Sequence, residues 1–306
     1  MSFLFYRFRF SFTAIDSLFF PPAKSANIVR GAFGTLFRKA ACNPECSSAE
    51  SCSIRATCPY AKVFEPRAAA GAGPSGLSDW PRPFVFRAAH LDGRVIESGE
   101  SFHFDAHLFD TNDPALAYFV QAFDALARDG IGPRRGRARL NRVMQIDLDG
   151  MEAPDLQSPL ELDLAAATHG VQRLQVRFVT PTELKSRQGL TERPEFPVLL
   201  ARLRDRLSTL RALYGAGPLD IDFRGLAERA SQVRMTRCDV RHIDAERRSS
   251  RTAQVHSLGG FLGEAEYEGD LDDFVPYLRA GEWVGVGRQT VWGKGELRIA
   301  ALAVKG

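Results

Sequence analysis

The chain has 306 residues, of which 44% are hydrophobic and 25% are charged, and its formal net charge is +3 at pH 7. This composition predicts a globular protein of one large or two ordinary domains. No segment approaches about eighteen apolar residues, which excludes a membrane span. Because the net charge is small, a charged partner must be sought in local clusters, and nearly all cations are arginine, which suits contacts with phosphate and bases.

The N-terminal segment FYRFRFSFTA alternates between apolar and polar residues. It places phenylalanine at positions 8, 10 and 12 and arginine or serine at positions 7, 9 and 11. A period of two predicts a β-strand, whereas a signal peptide has a continuous apolar core. We therefore expect a cytoplasmic protein.

The segment SANIVRGAFGTLFRKAA, residues 25–41, has the spacing of an amphipathic helix. Its predicted apolar side carries Ile28, Phe33, Phe37 and Ala40. Its predicted basic edge carries Arg30, Arg38 and Lys39.

Four of the five cysteines fall within one window, with the spacing C-x3-C-x5-C-x5-C: Cys42, Cys46, Cys52 and Cys58. In a reducing cytosol this grouping favours metal ligation over disulfides. The spacing lacks the C-x2-C pair of a zinc ribbon, so two interpretations stay open: a structural zinc ion or iron–sulfur cluster, and free thiols in a compact loop. Cys238 is expected to be buried and unreactive.

The next segments complete a first cycle of strands and helices. Residues 68–79 read as a loop by composition, and RPFVFRA and ESFHFDAHLFD as strands. A helix is predicted over 113–129, followed by a basic strand over 132–146. Residues 149–161 read as a linker.

A second cycle begins with the strand QRLQVRFVT and a helix over 196–214, whose apolar stripe is Leu199, Leu203, Leu207 and Leu210. An Arg-rich turn, RHIDAERRSSRTAQV, the segment GGFLGEAEYEGDL and a short helix follow. This order predicts an α+β fold of two tandem ferredoxin-like domains. The first spans 1–148, with a Cys-rich insertion at 42–58; the second spans 162–306.

The segment VGVGRQTVWGKGE, residues 284–296, combines glycines, cations and a tryptophan: Gly285, Gly287, Arg288, Trp292, Gly293, Lys294 and Gly295. Its spacing fits neither the dinucleotide fingerprint nor the P-loop. Two interpretations remain. The bare backbone, charges and indole could meet another chain, or the segment could be a glycine-rich hairpin at a sheet edge.

In their order and spacing, several segments resemble the CRISPR-associated endoribonucleases of the RAMP superfamily, which cut precursor CRISPR RNA. The residues that carry this resemblance are VRGAFGTLFRKAAC (29–42), CPYAKVFEP (58–66), RPFVFRA (82–88), GIGPRRGRARL (130–140), VRFVTPTELK (176–185), GGFLGEAEYEGDL (259–271) and GEWVGVGRQTVWGKGEL (281–297).

The resemblance implies an enzyme that binds a CRISPR repeat, often a stem-loop, and cuts one phosphodiester without a metal cofactor, leaving a 2′,3′-cyclic phosphate. It also implies that the glycine-rich loop approaches RNA, and that mature CRISPR RNA and other effector subunits are partners. In relatives a histidine commonly lies on or near the first helix. Here the corresponding stretch has Thr35, and no histidine precedes His90.

The catalytic candidates are therefore Arg38, Lys39, His242 and Arg30. Arginine stabilises charge and does not readily lose a proton, so Lys39 or His242 would transfer protons. Two basic runs are assigned to RNA, because like charges crowd expensively without an anion: Arg134, Arg135, Arg137, Arg139 and Arg142 in the first, and Arg247, Arg248 and Arg251 in the second. Structural alternatives stay open: Arg30 could only fix the RGAFG turn, and Arg38 and Lys39 could form a solvated face.

Two further functions are considered. A non-catalytic RAMP subunit would only hold guide RNA. The segment HFDAH places His103, Asp105 and His107 on one face of a strand, which could be the two-histidine-one-carboxylate site of a metal-dependent oxygenase or hydrolase. Polar residues with a period of two are also what any half-exposed strand shows.

Overall fold

A computed structural model describes residues 1–42, 52–66, 80–153, 156–244, 246–248, 255–257 and 259–302. The chain forms two compact units. The N-terminal unit comprises Leu4–Leu160 with Ala212–Gly215, and the C-terminal unit comprises Met1–Phe3, Glu161–Arg211 and Ala216–Gly306. The main boundary, at Leu160, lies inside the predicted linker. The division into domains at 1–148 and 162–306 stays a prediction.

The first half of the chain contains β1 (Ser2–Ala14), β2 (Leu18–Phe19), α1 (Ser25–Ala41), α2 (Pro59–Phe64), β3 (Phe84–Arg87), β4 (Val95–Ile96), β5 (Ser101–Leu108), α3 (Leu116–Asp129), β6 (Ala138–Ile146), β7 (Glu152–Ala153) and β8 (Leu160–Asp163). The main sheet has the order β3-β5-β1-β6-β7, and β8 also pairs with β1. β1 is antiparallel to both neighbours, with Phe10 opposite Phe104 and Val143.

The predicted alternation of β1 is confirmed, and it creates the core of the N-terminal unit. Phe8, Phe10 and Phe12 are buried, whereas the polar residues between them are half-buried. Rings from α1 and α3 pack against this face: Phe33 stacks on Phe123 at 4.6 Å between centroids, and Phe123 meets Phe10 at 4.9 Å. Aromatic burial of this kind is the main stabilising term of such a unit.

Helix α1 covers the predicted residues, and its predicted apolar side is correct at Phe33 and Phe37 but wrong at Ile28 and Ala40. Val29, Phe33 and Phe37 are each at most 1% exposed, whereas Ile28 is half-buried and Ala40 is exposed. Residues 29, 33 and 37 follow a strict i, i+4, i+8 spacing, and this row sets the rotation of the helix.

The predicted strand over 132–146 begins only at Ala138. Before it, Ile131 and Gly136 form an isolated bridge that closes a turn. Pro133 has no N–H to donate to a strand ladder, and a Cβ on Gly136 would lie 2.6 Å from the Ser17 carbonyl oxygen. The first arginines of this basic run therefore lie on a turn.

The second half contains β9 (Arg173–Thr182), β10 (Lys185–Ser186), β11 (Gly189–Leu190), α4 (Phe196–Tyr214), α5 (Phe223–Ala230), β12 (Arg234–Ile243), β13 (Glu246–Arg248), β14 (Val255–Ser257), β15 (Gly260–Glu268), α6 (Val275–Val284) and β16 (Leu297–Ala301). Its main sheet is antiparallel, with the order β12-β15-β9-β16. The mixed α+β class is confirmed. No helix of the described residues is long and apolar enough to cross a membrane.

Helix α4 matches the prediction at both ends, and its four stripe leucines are each at most 1% exposed. Helix α5 was not predicted. Asp222 begins it as N-cap, because its carboxylate accepts a hydrogen bond of 2.9 Å from the Gly225 N–H.

Candidate functional site

The basic edge of α1 is held in place by α2. The guanidinium carbon of Arg38 lies 5.7 Å from the centroid of the Tyr60 ring, and that of Arg30 lies 5.2 Å from the Phe64 ring. Both distances are within the range of cation–π attraction. Lys39, in the last turn of α1, is exposed. α1 therefore presents an exposed ammonium, that of Lys39, beside a guanidinium that packs on an aromatic ring.

Arg30 contacts α2 through Phe64, and Gly34 leaves room for this contact. A Cβ on Gly34 would lie 3.2 Å from Arg30 Nη1 and 3.2 Å from Phe64 Cε1, so the glycine gives room for this stacked pair. Residues 30–34 lie inside α1, so the expected RGAFG turn is not formed, and Arg30 instead packs against Phe64 of α2. Its catalytic assignment stays a prediction.

His242 lies near the end of β12 and is exposed. Its Nε2 is 2.9 Å from the Glu192 carbonyl oxygen, and its ring packs edge-on against Phe261 at 6.1 Å. Because a carbonyl oxygen only accepts, this contact requires the proton on Nε2. In the neutral imidazole Nδ1 is then the nitrogen that can accept a proton.

The glycine-rich loop packs against the chain's own backbone. A Cβ on Gly287 would lie 2.3 Å from the Glu183 carbonyl oxygen, and one on Gly295 would lie 1.9 Å from that of Val286. Both glycines also have positive φ, +80° and +68°. At these two positions the bare backbone is needed for internal packing.

The loop and His242 are joined by residues 183–192. The Arg288 N–H donates to the Glu183 carbonyl at 3.0 Å, and the Thr191 N–H donates to the Leu184 carbonyl at 2.9 Å. The Glu192 carbonyl oxygen then accepts a hydrogen bond from His242 Nε2. We call His242, residues 183–192 and residues 285–295 the C-terminal site.

Within the C-terminal site the cations differ in exposure. The Arg288 side chain is 56% exposed and pairs with the Glu183 carboxylate. Lys294 is only 3% exposed, and Trp292 is half-buried. An RNA contact by Lys294 would need its side chain to leave this position, whereas Arg288 needs only to exchange its carboxylate for a phosphate. Both assignments stay predictions.

The catalytic candidates are divided between the two units. Arg30, Arg38 and Lys39 belong to the N-terminal unit, and His242 belongs to the C-terminal unit. Each unit thus offers its own functional groups, and no single unit brings all four together.

Two arginines of the first basic run form ion pairs with carboxylates. Arg137 holds the Asp16 carboxylate with two side-chain hydrogen bonds, at 2.7 and 3.2 Å, and Arg142 pairs with Glu152 at 2.8 Å. The Arg137 hydrogen bonds lower the pKa of Asp16.

The contacts of the other three arginines in that run leave them better suited to bind phosphate. Arg134 lies 5.4 Å over the Phe19 ring, Arg135 donates to the Asp129 carbonyl at 2.9 Å, and Arg139 donates to the Asn141 side chain at 3.2 Å. Within the described part of the chain none of these three pairs with a carboxylate. They are therefore the better electrostatic candidates for phosphate. Of the second run, Arg247 and Arg248 lie in β13, and Arg251 lies outside the described residues.

Two arginines that sequence reasoning did not single out surround Asp105. Arg7 donates to Oδ2 from Nε and Nη2 at 2.9 and 2.8 Å, and Arg9 donates to Oδ1 and Oδ2 at 2.8 and 3.1 Å. Burial raises the pKa of Asp105, but the hydrogen bonds and charges of the two arginines outweigh it, and the pKa lies below the ordinary 3.8. Arg9 faces Asp105 across the β1–β5 ladder, so the strand pairing was the missing signal.

This ion cluster disfavours the metal interpretation of HFDAH. The Asp105 carboxylate is occupied by two guanidinium groups, and His107 is 3% exposed with its ring against Phe5 at 5.6 Å. His103 stacks on His90 at 4.7 Å. Burial, followed by the Arg9 charge, lowers the pKa of His103. A two-histidine-one-carboxylate site needs a carboxylate free to coordinate, and this one is not.

The cysteine window is described in part. Cys42 Sγ and Cys58 Sγ are 3.9 Å apart, Cys52 is half-buried, and Cys46 lies outside the described residues. In the described part, no three His, Cys, Asp or Glu side chains gather as metal ligands would. Cys238, expected to be buried, is half-buried, because it lies on β12 at the edge of the second sheet.

Two family models match this chain. One, described as an N-terminal domain, matches residues 3–160, more than half of the chain. The other, described as CRISPR-associated endoribonuclease Cas6, matches residues 176–297. The chain belongs to the CRISPR-associated processing proteins. This agrees with the resemblance seen in the sequence.

Solved structures show that this protein shares the Cas6 fold. It is similar to a Cas6 (TTHB231) product complex, with 17% identity, a TM-score of 0.58 and coverage of 97% of this chain and 99% of that one. For Thermus thermophilus Cas6 (TTHB231) the identity is 17%, the TM-score 0.55 and the coverage 98% and 99%. A partial Cas6-RT-Cas1–Cas2 complex matches with 12% identity and a TM-score of 0.58, covering 99% of this chain and 48% of that one. No curated protein matches significantly.

Proposed function

We propose that this protein is an endoribonuclease that binds CRISPR repeat RNA and processes precursor CRISPR RNA. The match of residues 176–297 to the Cas6 family model is the observation that carries this proposal. That match includes His242, residues 183–192 and the glycine-rich loop, which form the C-terminal site. The clustered arginines of the N-terminal unit add the cationic surface that a phosphodiester backbone requires.

We further propose that each unit is a ferredoxin-like domain. In the C-terminal unit, strand and helix alternate as β9, α4, β12, β15, α6 and β16, and the sheet order is β12-β15-β9-β16. In the N-terminal unit, β1, α1, β3, β5, α3 and β6 follow the same plan, with the order β3-β5-β1-β6. Both orders fit a split βαβ arrangement. They support the tandem architecture that the sequence predicted.

The proposed reaction is an in-line attack of a ribose 2′-oxygen on the adjacent phosphorus. The 2′-hydroxyl loses its proton, the bond from 2′-oxygen to phosphorus forms, and the bond from phosphorus to 5′-oxygen breaks. The leaving 5′-oxygen takes up a proton, so the products are a 2′,3′-cyclic phosphate and a 5′-hydroxyl. We propose that fixed cations of the protein meet the charge that develops on the phosphate, so that cleavage is metal-independent.

The residues take separate roles in this reaction. Arg38, held over Tyr60, is suited to meet the charge that develops on the phosphate, since a pre-positioned cation loses no energy in reorganising. Lys39 adds a second, exposed charge. His242 is suited to proton transfer through Nδ1, because the Glu192 carbonyl fixes its tautomer.

Single-turnover cleavage of the cognate repeat RNA in EDTA tests this proposal. We expect Arg38→Ala to slow cleavage by about 10²- to 10³-fold with a smaller effect on binding. His242→Ala should slow cleavage by about 10²- to 10⁴-fold. Arg224→Ala is the matched control, because this arginine of α5 is 90% exposed and pairs only with Glu228 among described residues.

The outcomes of this experiment separate the mechanisms. If His242→Ala cuts normally while Arg38→Ala does not, catalysis is electrostatic. If Arg38→Ala, Lys39→Ala and His242→Ala all keep full activity, the proposed active site is wrong. If only divalent metal restores cleavage, metal independence is wrong.

A second candidate function is a non-catalytic subunit that holds guide RNA. The observation that favours it is the exposed Thr35 of α1, in the stretch where relatives commonly carry a histidine. Tight repeat binding without any cleavage by the wild-type protein would establish it. In either case we propose other CRISPR-associated proteins as partners, a view supported by the likeness to a chain of the Cas6-RT-Cas1–Cas2 complex.

A further inference from the structure

The N-terminal sheet has one face opposite its phenylalanine core, and one end of that face is polar and accessible. Because β1 alternates, Ser11 and Thr13 lie on this face. Ser11 is opposite His103 on β5 and Arg142 on β6, and Thr13 is opposite Arg139. Directly opposite side chains are about 4.5–5.5 Å apart at Cβ. Imidazole, hydroxyl and guanidinium groups from three strands therefore share one surface.

His90 adds a second imidazole ring to this surface. Its ring stacks on that of His103, with 4.7 Å between centroids and an interplanar angle of 28°. Its Nε2 lies 2.9 Å from the His103 carbonyl oxygen, and because that oxygen only accepts, the proton lies on Nε2. His90 is exposed, and in the described part of the chain no other aromatic ring contacts it. The other face of an ordered ring is therefore open to a ligand.

Arg139 supplies a guanidinium whose orientation is set by its neighbours. Its Nε donates to the Asn141 side-chain oxygen at 3.2 Å, and Asn141 Nδ2 donates to the Thr13 hydroxyl at 2.8 Å. Arg139 is exposed, and its two Nη groups donate to no acceptor among the described residues. Such a pair of donors fits a phosphate in a bidentate manner. Arg142, also exposed, adds charge but is already paired with Glu152 at 2.8 Å.

The ion cluster on the neighbouring part of the same face is also cationic. Arg7 and Arg9 share the one carboxylate of Asp105, which leaves positive charge in excess. Burial and then the charge of Arg9 lower the pKa of His103, so its ring is neutral at pH 7. A neutral ring next to fixed positive charge suits a ligand that combines an aromatic base with a phosphate.

The residues that form this polar surface are called the imidazole surface: His90, His103, Ser11, Arg139 and Arg142. We infer that the imidazole surface binds a single-stranded segment of RNA, with one base stacked on His90 and a phosphate on Arg139. Proteins hold unpaired nucleotides with aromatic rings beside cations, because every base has a face that can stack. A duplex keeps its bases stacked on one another and offers His90 no free base face within the helix. The assignment rests on the proposed function and adds that the RNA substrate has an unpaired segment.

Photocrosslinking to the full wild-type chain tests the stacking contact. The probe is a single-stranded RNA of about ten nucleotides that contains 5-iodouridine, which couples to a stacked aromatic side chain on irradiation. We expect the adduct on the tryptic peptide 88–94, where His90 is the one aromatic residue. The same RNA annealed to its complement should give no such adduct. An adduct that is missing from this peptide, or equally strong with the duplex, would overturn the inference.

Variants then separate stacking and phosphate binding from a structural effect. His90→Ala should weaken binding of the single-stranded probe about tenfold, and His90→Phe should restore most of the affinity, because a phenyl ring still offers a face. Arg139→Ala should weaken binding and lower the slope of log affinity against log salt by about 0.7, the value for one phosphate of a single strand. His169→Ala and Arg224→Ala are the matched controls, since both residues are exposed and lie in the C-terminal unit.

The outcomes keep this inference distinct from the proposed function. Wild-type affinity in both His90→Ala and Arg139→Ala would overturn the inference, and normal processing of repeat RNA by these variants would leave the proposed function standing. A His90→Phe variant that binds as weakly as His90→Ala would also overturn it, because the ring itself would then contribute nothing. The adduct at His90 in a wild-type protein that cuts no repeat RNA would refute cleavage and support the RNA surface.

Discussion

Asp105→Asn should be among the most destabilising isosteric substitutions in the N-terminal unit. The carboxylate accepts four hydrogen bonds from Arg7 and Arg9, whose side chains are 14% and 22% exposed. An asparagine keeps one acceptor oxygen but turns an NH₂ group toward a guanidinium donor. Removal of one partner from a buried ion pair costs about 3–5 kcal/mol, and discounting for the partial exposure of the arginines leaves about 2–3 kcal/mol.

Urea unfolding of the two proteins measures this loss. With a slope of about 2 kcal/mol per molar urea, the midpoint should fall by about 1 M. Asp16→Asn is the matched control. Asp16 also accepts two side-chain hydrogen bonds from one arginine, but its side chain is 44% exposed, so solvent screens the pair and only a small shift is expected. Equal midpoints for wild type and Asp105→Asn would refute the reasoning.

The stability difference between wild type and Asp105→Asn should also change with pH in a defined direction. Because the pKa of folded Asp105 lies below its ordinary value of 3.8, its ionised form stabilises the fold above that pH. This contribution is lost as pH falls through the folded pKa. The stability difference between wild type and Asp105→Asn should therefore be constant from about pH 7 to 5 and shrink below about pH 4. A difference that grows on acidification would contradict the assigned pKa direction.

Three further predictions concern the packing of two glycines and the binding of RNA. Gly295→Ala should strongly destabilise the C-terminal unit, because the added Cβ would lie 1.9 Å from a carbonyl oxygen. Gly31→Ala should stabilise the protein by about 0.5–1 kcal/mol, because Gly31 lies inside α1 and its Cβ would meet nothing within 4 Å. Thermal unfolding measures both effects. The affinity for repeat RNA should fall steeply as the salt concentration rises, because phosphate contacts release counterions. A filter-binding affinity that stays the same over a salt series would contradict this. Arg134→Ala should reduce that salt slope more than Arg137→Ala, since Arg137 is already paired with Asp16.

The sequence predicted those elements whose pattern is local and regular. The alternation of β1 and the leucine stripe of α4 each repeat over several turns or residue pairs, so the structure agrees with them closely. The start of β6 was wrong because the turn at 131–136 is imposed by close packing of Gly136 on Ser17, a contact between distant residues. The apolar side of α1 was wrong at Ile28 and Ala40 for a related reason, since packing in the fold buries Val29 and leaves Ala40 exposed.

The candidate site could be predicted as residue types but not as geometry. Arg38, Lys39 and His242 were named because their chemistry fits RNA cleavage. The contacts that orient them, Tyr60 beneath Arg38 and Glu192 beside His242, join residues 22 and 50 positions apart. Strand register, which no short pattern contains, likewise brings Arg9 to Asp105. Such contacts are set by the fold, so a sequence pattern supplies the functional groups and leaves their orientation open.

The glycine-rich loop shows why a composition rich in glycine does not by itself identify a partner. At Gly287 and Gly295 the missing Cβ is required by carbonyl oxygens of Glu183 and Val286, so the chain itself is the partner that these glycines accommodate. This packing fixes the loop, and Arg288 is held by both the backbone and the carboxylate of Glu183. A phosphate that replaces that carboxylate would meet a guanidinium already ordered, which saves the entropy of ordering it on binding. The case for RNA at this loop therefore rests on its exposed, pre-positioned cation, and the glycines contribute by making that position rigid.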